Sequence, residues 1–426
     1  DDSPSDKLVI DGAGGGGNAS GSTFLQINNT DGLGALTTGN GILVVDTING
    51  GTTNAGAFTL AGEVKAGAFE YLLRRGGIGK DPDSSNNWYL RSSNEVRIEV
   101  PADVAAMPLA AQASRSMLGT FFTRAGDHNG LSRGDLAQSE LIEDGDTPHA
   151  NLIWGRVFGE TGRGGGGGGE SNFGLGRNGP AYTYNYYGMQ VGADLVRNEK
   201  DTLGLYFGAS TQRSNVKDAD SNHAGKVTMD ALSLGGYWTH YEPSGWYTDA
   251  VLQADWYHNI RTHAASGEDF STSGSSLTVS LETGYMIDLG EGLNLIPQMQ
   301  FVYQYTSIRD GSDSFGRIHY SDTNALYGRL GSRLSKAWNE TGLTAWVEAN
   351  LWHQFGSDAK TTFRALDGTN PTTLSSRIGG TWGQALIGVS APLTRNVSIY
   401  GTADYNFGLN QSGQSFGGQI GVNIGW

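Results

Sequence analysis

Between Leu293 and Tyr305 the chain reads LNLIPQMQFVYQY, and its two parities differ in chemistry. Leu293, Leu295, Met299, Phe301, Tyr303 and Tyr305 fall on one side of an extended strand, with Asn294, Gln298, Gln300 and Gln304 on the other. The segments LTVSLETGYMID (277–288), VSIYGTADYNF (397–407) and GGQIGVNIGW (417–426) repeat this design. From residue 150 onward the chain predicts about twelve such strands, an even number, each long enough for a tilted membrane crossing. A soluble sandwich would alternate as well, so the connections decide. Short ones at 197, 242, 290, 339 and 394 take turns with long ones at 161–180, 216–224, 263–274, 309–320 and 357–374. Tight turns on one rim and long loops on the other are the mark of an outer-membrane barrel. Trp238, Tyr241, Trp246, Tyr247 and Trp338 gather at the short-turn rim, where they would suit the headgroup layer.

Upstream, PLAAQASRSMLGTFFTRAG (108–126) predicts a helix over about 108–125, with Pro108 at its first position and Gly126 as its stop. Its alanines and serines make it slim, and at about 1.5 Å per residue it is roughly 25 Å long, near the height of a barrel's apolar band. Residues 1–100 carry apolar bursts at LVI (8), TFLQI (23), GILVV (41), AFTL (57), FEYLL (69) and WYL (88). A spacing of roughly 15–20 residues predicts the rungs of a parallel solenoid, with a small sandwich as the alternative. The expected domains are therefore 1–100, a linker over 101–149 containing the helix, and an all-β transmembrane barrel over 150–426. Both barrel ends then lie on the short-turn side. A chain whose solenoid is outside must pass back through the wall, and the slim helix is the element to fill the lumen.

Composition narrows the functions. Among 426 residues there are 66 Gly and only 10 Pro, which favours turns and strands over helical bundles. The formal charge of −15 disfavours nucleic acid as a partner, and the lack of cysteine removes disulfides and thiolate metal sites. Because Asp1 is not an initiator Met, a processed chain or a fragment is expected. GLGRNG (174–179) spells a phosphate-loop pattern without a following helix, and His240, His258 and His263 have no metal-ligand spacing. No cofactor, metal site or catalytic constellation is expected.

In the order solenoid, helix, barrel, the sequence resembles the monomeric (type Va) autotransporters. GNGILVVDTINGGTTNAGAFTLAGEVKAGAFEYLLRRGG (39–77) and NNWYLRS (86–92) resemble the C-terminal cap, or autochaperone, of a pertactin-type passenger. MLGTFFTRAG (117–126) resembles the linker, and WGRVFGE (154–160), GMQVGADL (188–195) and GRLGSRL (328–334) resemble barrel strands one, two and eight. The resemblance implies an outer-membrane translocator and anchor that exports its own N-terminal passenger, with residues 1–100 at the surface of a Gram-negative cell. It implies outer-membrane lipid, periplasmic chaperones and the barrel assembly machinery as partners of a monomer. The machinery's C-terminal signal would be Gln419, Gly421, Ile424 and Trp426, although a terminal Phe is the commoner residue. Candidates to hold the helix from the lumen wall are Arg156, Gln190, Asp194, Asp255, Glu282, Gln298, Arg329, Arg333 and Glu348. The linker lacks the Asn-Asn pair of self-cleaving relatives, so no self-cleavage is expected. A permanently attached adhesin or stalk is the alternative function, and a passive porin a further one.

Overall fold

The computed structural model describes residues 4–30, 32–78, 85–126, 152–167, 173–218, 220, 222–338, 340–394, 396–410 and 413–425. Its C-terminal part is a closed antiparallel barrel of twelve strands. These are β1 (Leu152–Gly164), β2 (Tyr182–Arg197), β3 (Asp201–Lys217), β4 (His223–Tyr241), β5 (Trp246–Ala264), β6 (Asp269–Tyr285), β7 (Leu293–Ile308), β8 (Thr323–Trp338), β9 (Leu343–Phe355), β10 (Thr381–Pro392), β11 (Val397–Gly408) and β12 (Gln414–Gly425). Ile287–Gly290 continues β6 and pairs with β7. The circle closes where β12 meets β1, with Gly425 opposite Leu152 and Gln414 opposite Arg163.

Burial along the strands is inverted relative to a protein that folds around oil. On β7, Met299, Phe301 and Tyr303 are 40%, 45% and 46% exposed, while Gln298, Gln300 and Gln304 are 5%, 2% and 1% exposed. On β5, Leu252 and Trp256 face outward and Asp249, Gln253 and Asp255 inward. Water would penalise such a skin, whereas hydrocarbon accepts it. Among the described residues no helix is long and apolar enough to cross a membrane. The rim aromatics divide by parity. Trp238, Trp246 and Trp338 are exposed as expected, but Tyr247 turns inward and Tyr241 is half-buried with its ring 6.2 Å from Phe121.

The helix differs from the expectation. Helix α1 spans Val100–Leu118, and α2 spans Phe121–Ala125. Pro101 takes the first-turn position that Pro108 was expected to fill, and Pro108 lies inside α1. An interior proline leaves the carbonyl four residues earlier without its helical donor. That carbonyl is Val104 O, which accepts a hydrogen bond from Ser376 Oγ at 3.4 Å. The break at Gly119 follows from its φ of 67°, which favours glycine.

Two loop hairpins cover the long-loop mouth. Gly311–Ser312 with Arg317–Tyr320, and Ala359–Arg364 with Thr372–Ser376, join into one four-stranded sheet. Above it, residues 8–60 form parallel pairs: Leu8 with Val45, Asn18 with Thr52 and Thr23 with Phe58, offsets of 37, 34 and 35 positions. These offsets are about twice the expected 15–20, because each pass of the chain contains more than one apolar burst. An antiparallel cap follows, in which Phe69–Arg75 pairs with Val64–Ala66 on one side and Trp88–Val96 on the other.

Candidate functional site

The site is the lumen and the broken helix inside it. α1 enters at the long-loop mouth, where Asp103 accepts from Thr262 Oγ1 at 2.6 Å and Tyr320 donates to Asp103 O. It lies against β2–β7, and α2 lies near the short-turn rim, where the Phe121 ring is 5.1 Å from that of Tyr247. Val104, Ala105, Ala106, Leu109 and Ala110 have no exposed surface, so the small side chains let the wall approach the backbone.

A helix end inside a pore exposes carbonyls and N–H groups that water cannot reach. At the Gly119 break the wall supplies the partners. Arg156 Nη2 and Gln190 Nε2 donate to Met117 O at 2.7 and 2.9 Å, so a cation meets the negative C-terminal end of α1. Glu282 Oε2 accepts from Phe121 N at 3.0 Å, placing a carboxylate at the positive start of α2. Thr120 and Thr123 add a reciprocal cap. Further up, Asp255 accepts from Ser114 Oγ at 2.5 Å. Below, Arg156 Nη1 and Gln419 Nε2 both donate to Thr123 O.

All nine expected lumen residues are buried and inward, but they divide into two groups. Arg156, Gln190, Asp255 and Glu282 bond the helices directly, and the Arg333 guanidinium lies 3.9 Å above the Phe122 ring. Arg329, Glu348 and Gln298 act one step back. Arg329 pairs with Glu282 at 3.0 Å and Glu348 at 3.2 Å and donates to Gln298 at 2.7 Å, fixing the carboxylate that caps α2. Asp194 accepts from Tyr237 at 2.6 Å, and the Tyr237 ring in turn faces Arg124.

Other contacts were not singled out from sequence. Asp249 forms a buried ion pair with Arg124 at 2.7 Å, Gln253 and Tyr257 donate to Ser114 O and Ala110 O, and Gln304 donates to Ala111 O. Asp249, Gln253, Asp255 and Tyr257 share one parity of β5, so the rule that picked Asp255 could have picked all four. Glu160, which accepts from Ser116 and Gln112, lies on the inward parity of β1 with Arg156. On the side away from β2–β7 the fit is looser. A cavity of about 220 Å³ runs beside the helix, lined by Arg115, Glu160, Trp382, Asp404, Asn406 and Ser415 among others.

The four expected C-terminal residues have separate settings. Gln419 points inward to the helix, Ile424 faces outward, and Trp426 lies outside the described residues. Gly421 leaves room for Tyr400, since a Cβ there would sit 2.2 Å from its ring. GLGRNG is a loop whose Leu175 is buried, and among the described residues no group of His, Asp and Glu could hold a metal. Residues 127–151, the rest of the expected linker, lie outside the described residues.

Comparison with known proteins adds a family and relatives. The family described as "Autotransporter beta-domain" matches residues 153–404, and "Autochaperone Domain Type 1" matches residues 1–73. The adhesin BmaC autotransporter of Brucella suis is 27% identical over 100% of this chain, which covers 13% of that protein. The autotransporter adhesin AIDA-I of Escherichia coli is 24% identical over 99% of this chain, covering 32% of that protein. The chain thus spans a third or less of these relatives' length. The solved transport unit of AIDA-I matches with a TM-score of 0.55 at 20% identity, covering 70% of this chain and 97% of that one, a likeness of fold.

Proposed function

The chain belongs to the autotransporter β-domain family, and from that membership together with the lumen geometry we propose how it works as a secretion device. It is an outer-membrane translocator that displays the chain N-terminal to it. We assign residues 1–100 to the end of the passenger, at the surface of a Gram-negative cell, 101–149 to the linker and 150–426 to the translocator. The parallel pairs of residues 8–60 are read as the last rungs of a solenoid, on which upstream rungs stack. Outer-membrane lipid, periplasmic chaperones and the barrel assembly machinery are its partners, with Gln419, Gly421, Ile424 and Trp426 as the machinery's signal.

The observation that carries this reading is the polar lumen wall bonded to a helix that it alone can satisfy. Arg156, Gln190, Asp255, Glu282 and Arg333 hold the helix, and Asp194, Gln298, Arg329 and Glu348 hold those side chains in place. The helix ends transit by filling the conduit, and folding of the cap outside biases transit outward. The names of the relatives, both adhesins, support a passenger kept at the surface for attachment. No catalytic residue is assigned, and the linker is read as uncut.

Deleting AFEYLLRRGG (68–77) from a chain carrying an epitope before Asp1 tests the division of labour. Heat-modifiable barrel should still accumulate in outer membranes, while protease added to intact cells should remove far less epitope than from the undeleted chain. Undiminished display of a folded passenger would contradict it. A porin would conduct equally with and without residues 101–149, whereas the translocator should conduct far more without them.

A further inference from the structure

Arg97 is 1% exposed although it lies outside the barrel, at the point where cap, helix and loops meet. Its backbone N–H donates to Ala68 O of the cap, and its carbonyl accepts from Val100 N at the start of α1. Its guanidinium donates to Gly67 O at 2.7 Å and pairs with Glu99 at 3.2 Å and Asp313 at 2.5 Å. Glu99 also takes Lys65 at 2.7 Å and Ser266 Oγ at 2.6 Å. Two buried cations and two buried anions thus balance across three segments of the chain.

The loop side of this junction is set by its own bonds. Asp313 Oδ1 accepts from Phe315 N and Gly316 N, which leaves Oδ2 for Arg97. Ser314 fastens the hairpin to Glu268 of the neighbouring loop, and Phe315 lies under both Arg97 (5.1 Å) and Lys65 (5.3 Å). Phe315 O also accepts from Gly67 N at 2.9 Å, so the hairpin offers backbone as well as charge. Emptied of Arg97, the hairpin would hold a carboxylate with no cation.

We propose that loops 265–268 and 313–316 form a receptor for residues 65–68 and 97–99 of the same chain, and that entry of Arg97 couples folding of the cap to seating of the helix in the pore. The inference rests on reading residues 1–100 as a passenger end docked outside. Buried ion pairs favour all-or-none assembly, since a half-formed one leaves a charge unpaired. In the assembled chain the cap and the seated helix therefore stabilise one another.

Asp313→Asn tests this, because its amide oxygen keeps the turn and only the charge is lost. In the full chain, the protease cleavage rate of the cap and the frequency of channel openings in planar bilayers should both rise at least about tenfold. Arg97→Ala should do the same, and the double variant should add little to either. Asp310→Ala, which removes the carboxylate facing His319 and Tyr320 in the same hairpin, should leave channel openings near the parent value. A cap that loosens with unchanged openings, both rates within about twofold of the parent, or an equal effect of Asp310→Ala would overturn the coupling. If the parent chain itself were not displayed, the translocator reading would fail instead.

Discussion

Arg329 carries two carboxylates, Glu282 and Glu348, in a lumen where none of the three has exposed side-chain surface beyond 1%. Removing one member of such a set leaves uncompensated charge, so Arg329→Met should destabilise the folded barrel by about 3–5 kcal/mol. The shift of its urea midpoint in micelles measures this, and an unchanged midpoint would contradict it. Gly421→Ala should block barrel closure, because the new Cβ meets the Tyr400 ring, and Tyr400→Ala should restore closure. Failure of that rescue, read as unfolded chain on gels, would assign Gly421 to recognition by the assembly machinery rather than to packing. Outside the membrane, burial alone pushes the Glu99 carboxyl up, but Lys65, Ser266 and Arg97 outweigh it and leave it below its ordinary 4.5. Its contribution to cap docking is therefore present above about pH 4.5 and is lost as pH falls through the depressed value. Cap protease resistance should fall in that acid range, and less steeply in Glu99→Gln.

Strands were legible in the sequence because a pattern of period two needs no partner to be read. The inward parity of β5 and β7 names the lumen wall, and the outward parity names the apolar outer face. The helix was legible in its existence and slimness but not in its limits. Pro108 reads as a start because its missing donor would cost least there, yet Ser376, a hydroxyl 268 positions away, offsets the loss inside α1. The cap at Gly119 is likewise remote, built from Arg156, Gln190 and Glu282. No local window contains these partners. Ala110 has no exposed surface, so Ala110→Trp should keep α1 from seating and raise single-channel conductance toward that of a barrel lacking residues 101–126. Conductance equal to the parent would show that the lumen has slack on that side.

For the molecule as a whole, sidedness came from the long connections, and sidedness required a helix in the lumen. Those between β1 and β2, β7 and β8, and β9 and β10 are long. The ones expected at 216–224 and 263–274 are shortened by strand, with β3 running to Lys217 before β4 starts at His223 and β5 to Ala264 before β6 starts at Asp269. Junctions between parts were the hidden level. Lys65, Arg97 and Asp313 sit in unrelated stretches of sequence, and nothing near any of them marks a shared pocket. The offset of the N-terminal parallel pairs, 34 to 37 positions, was hidden for a similar reason, since burst spacing does not tell which bursts pair. Ser114 on α1 and Thr278 on β6 face each other across the lumen with hydroxyl oxygens 3.0 Å apart. The chain has no cysteine, so a bridge between two introduced thiols is unambiguous. In Ser114→Cys/Thr278→Cys, oxidation of isolated outer membranes should give a non-reducing gel shift in the folded barrel. Absence of that bridge, with the Thr278→Cys thiol open to a water-soluble maleimide, would contradict a helix held inside a membrane barrel.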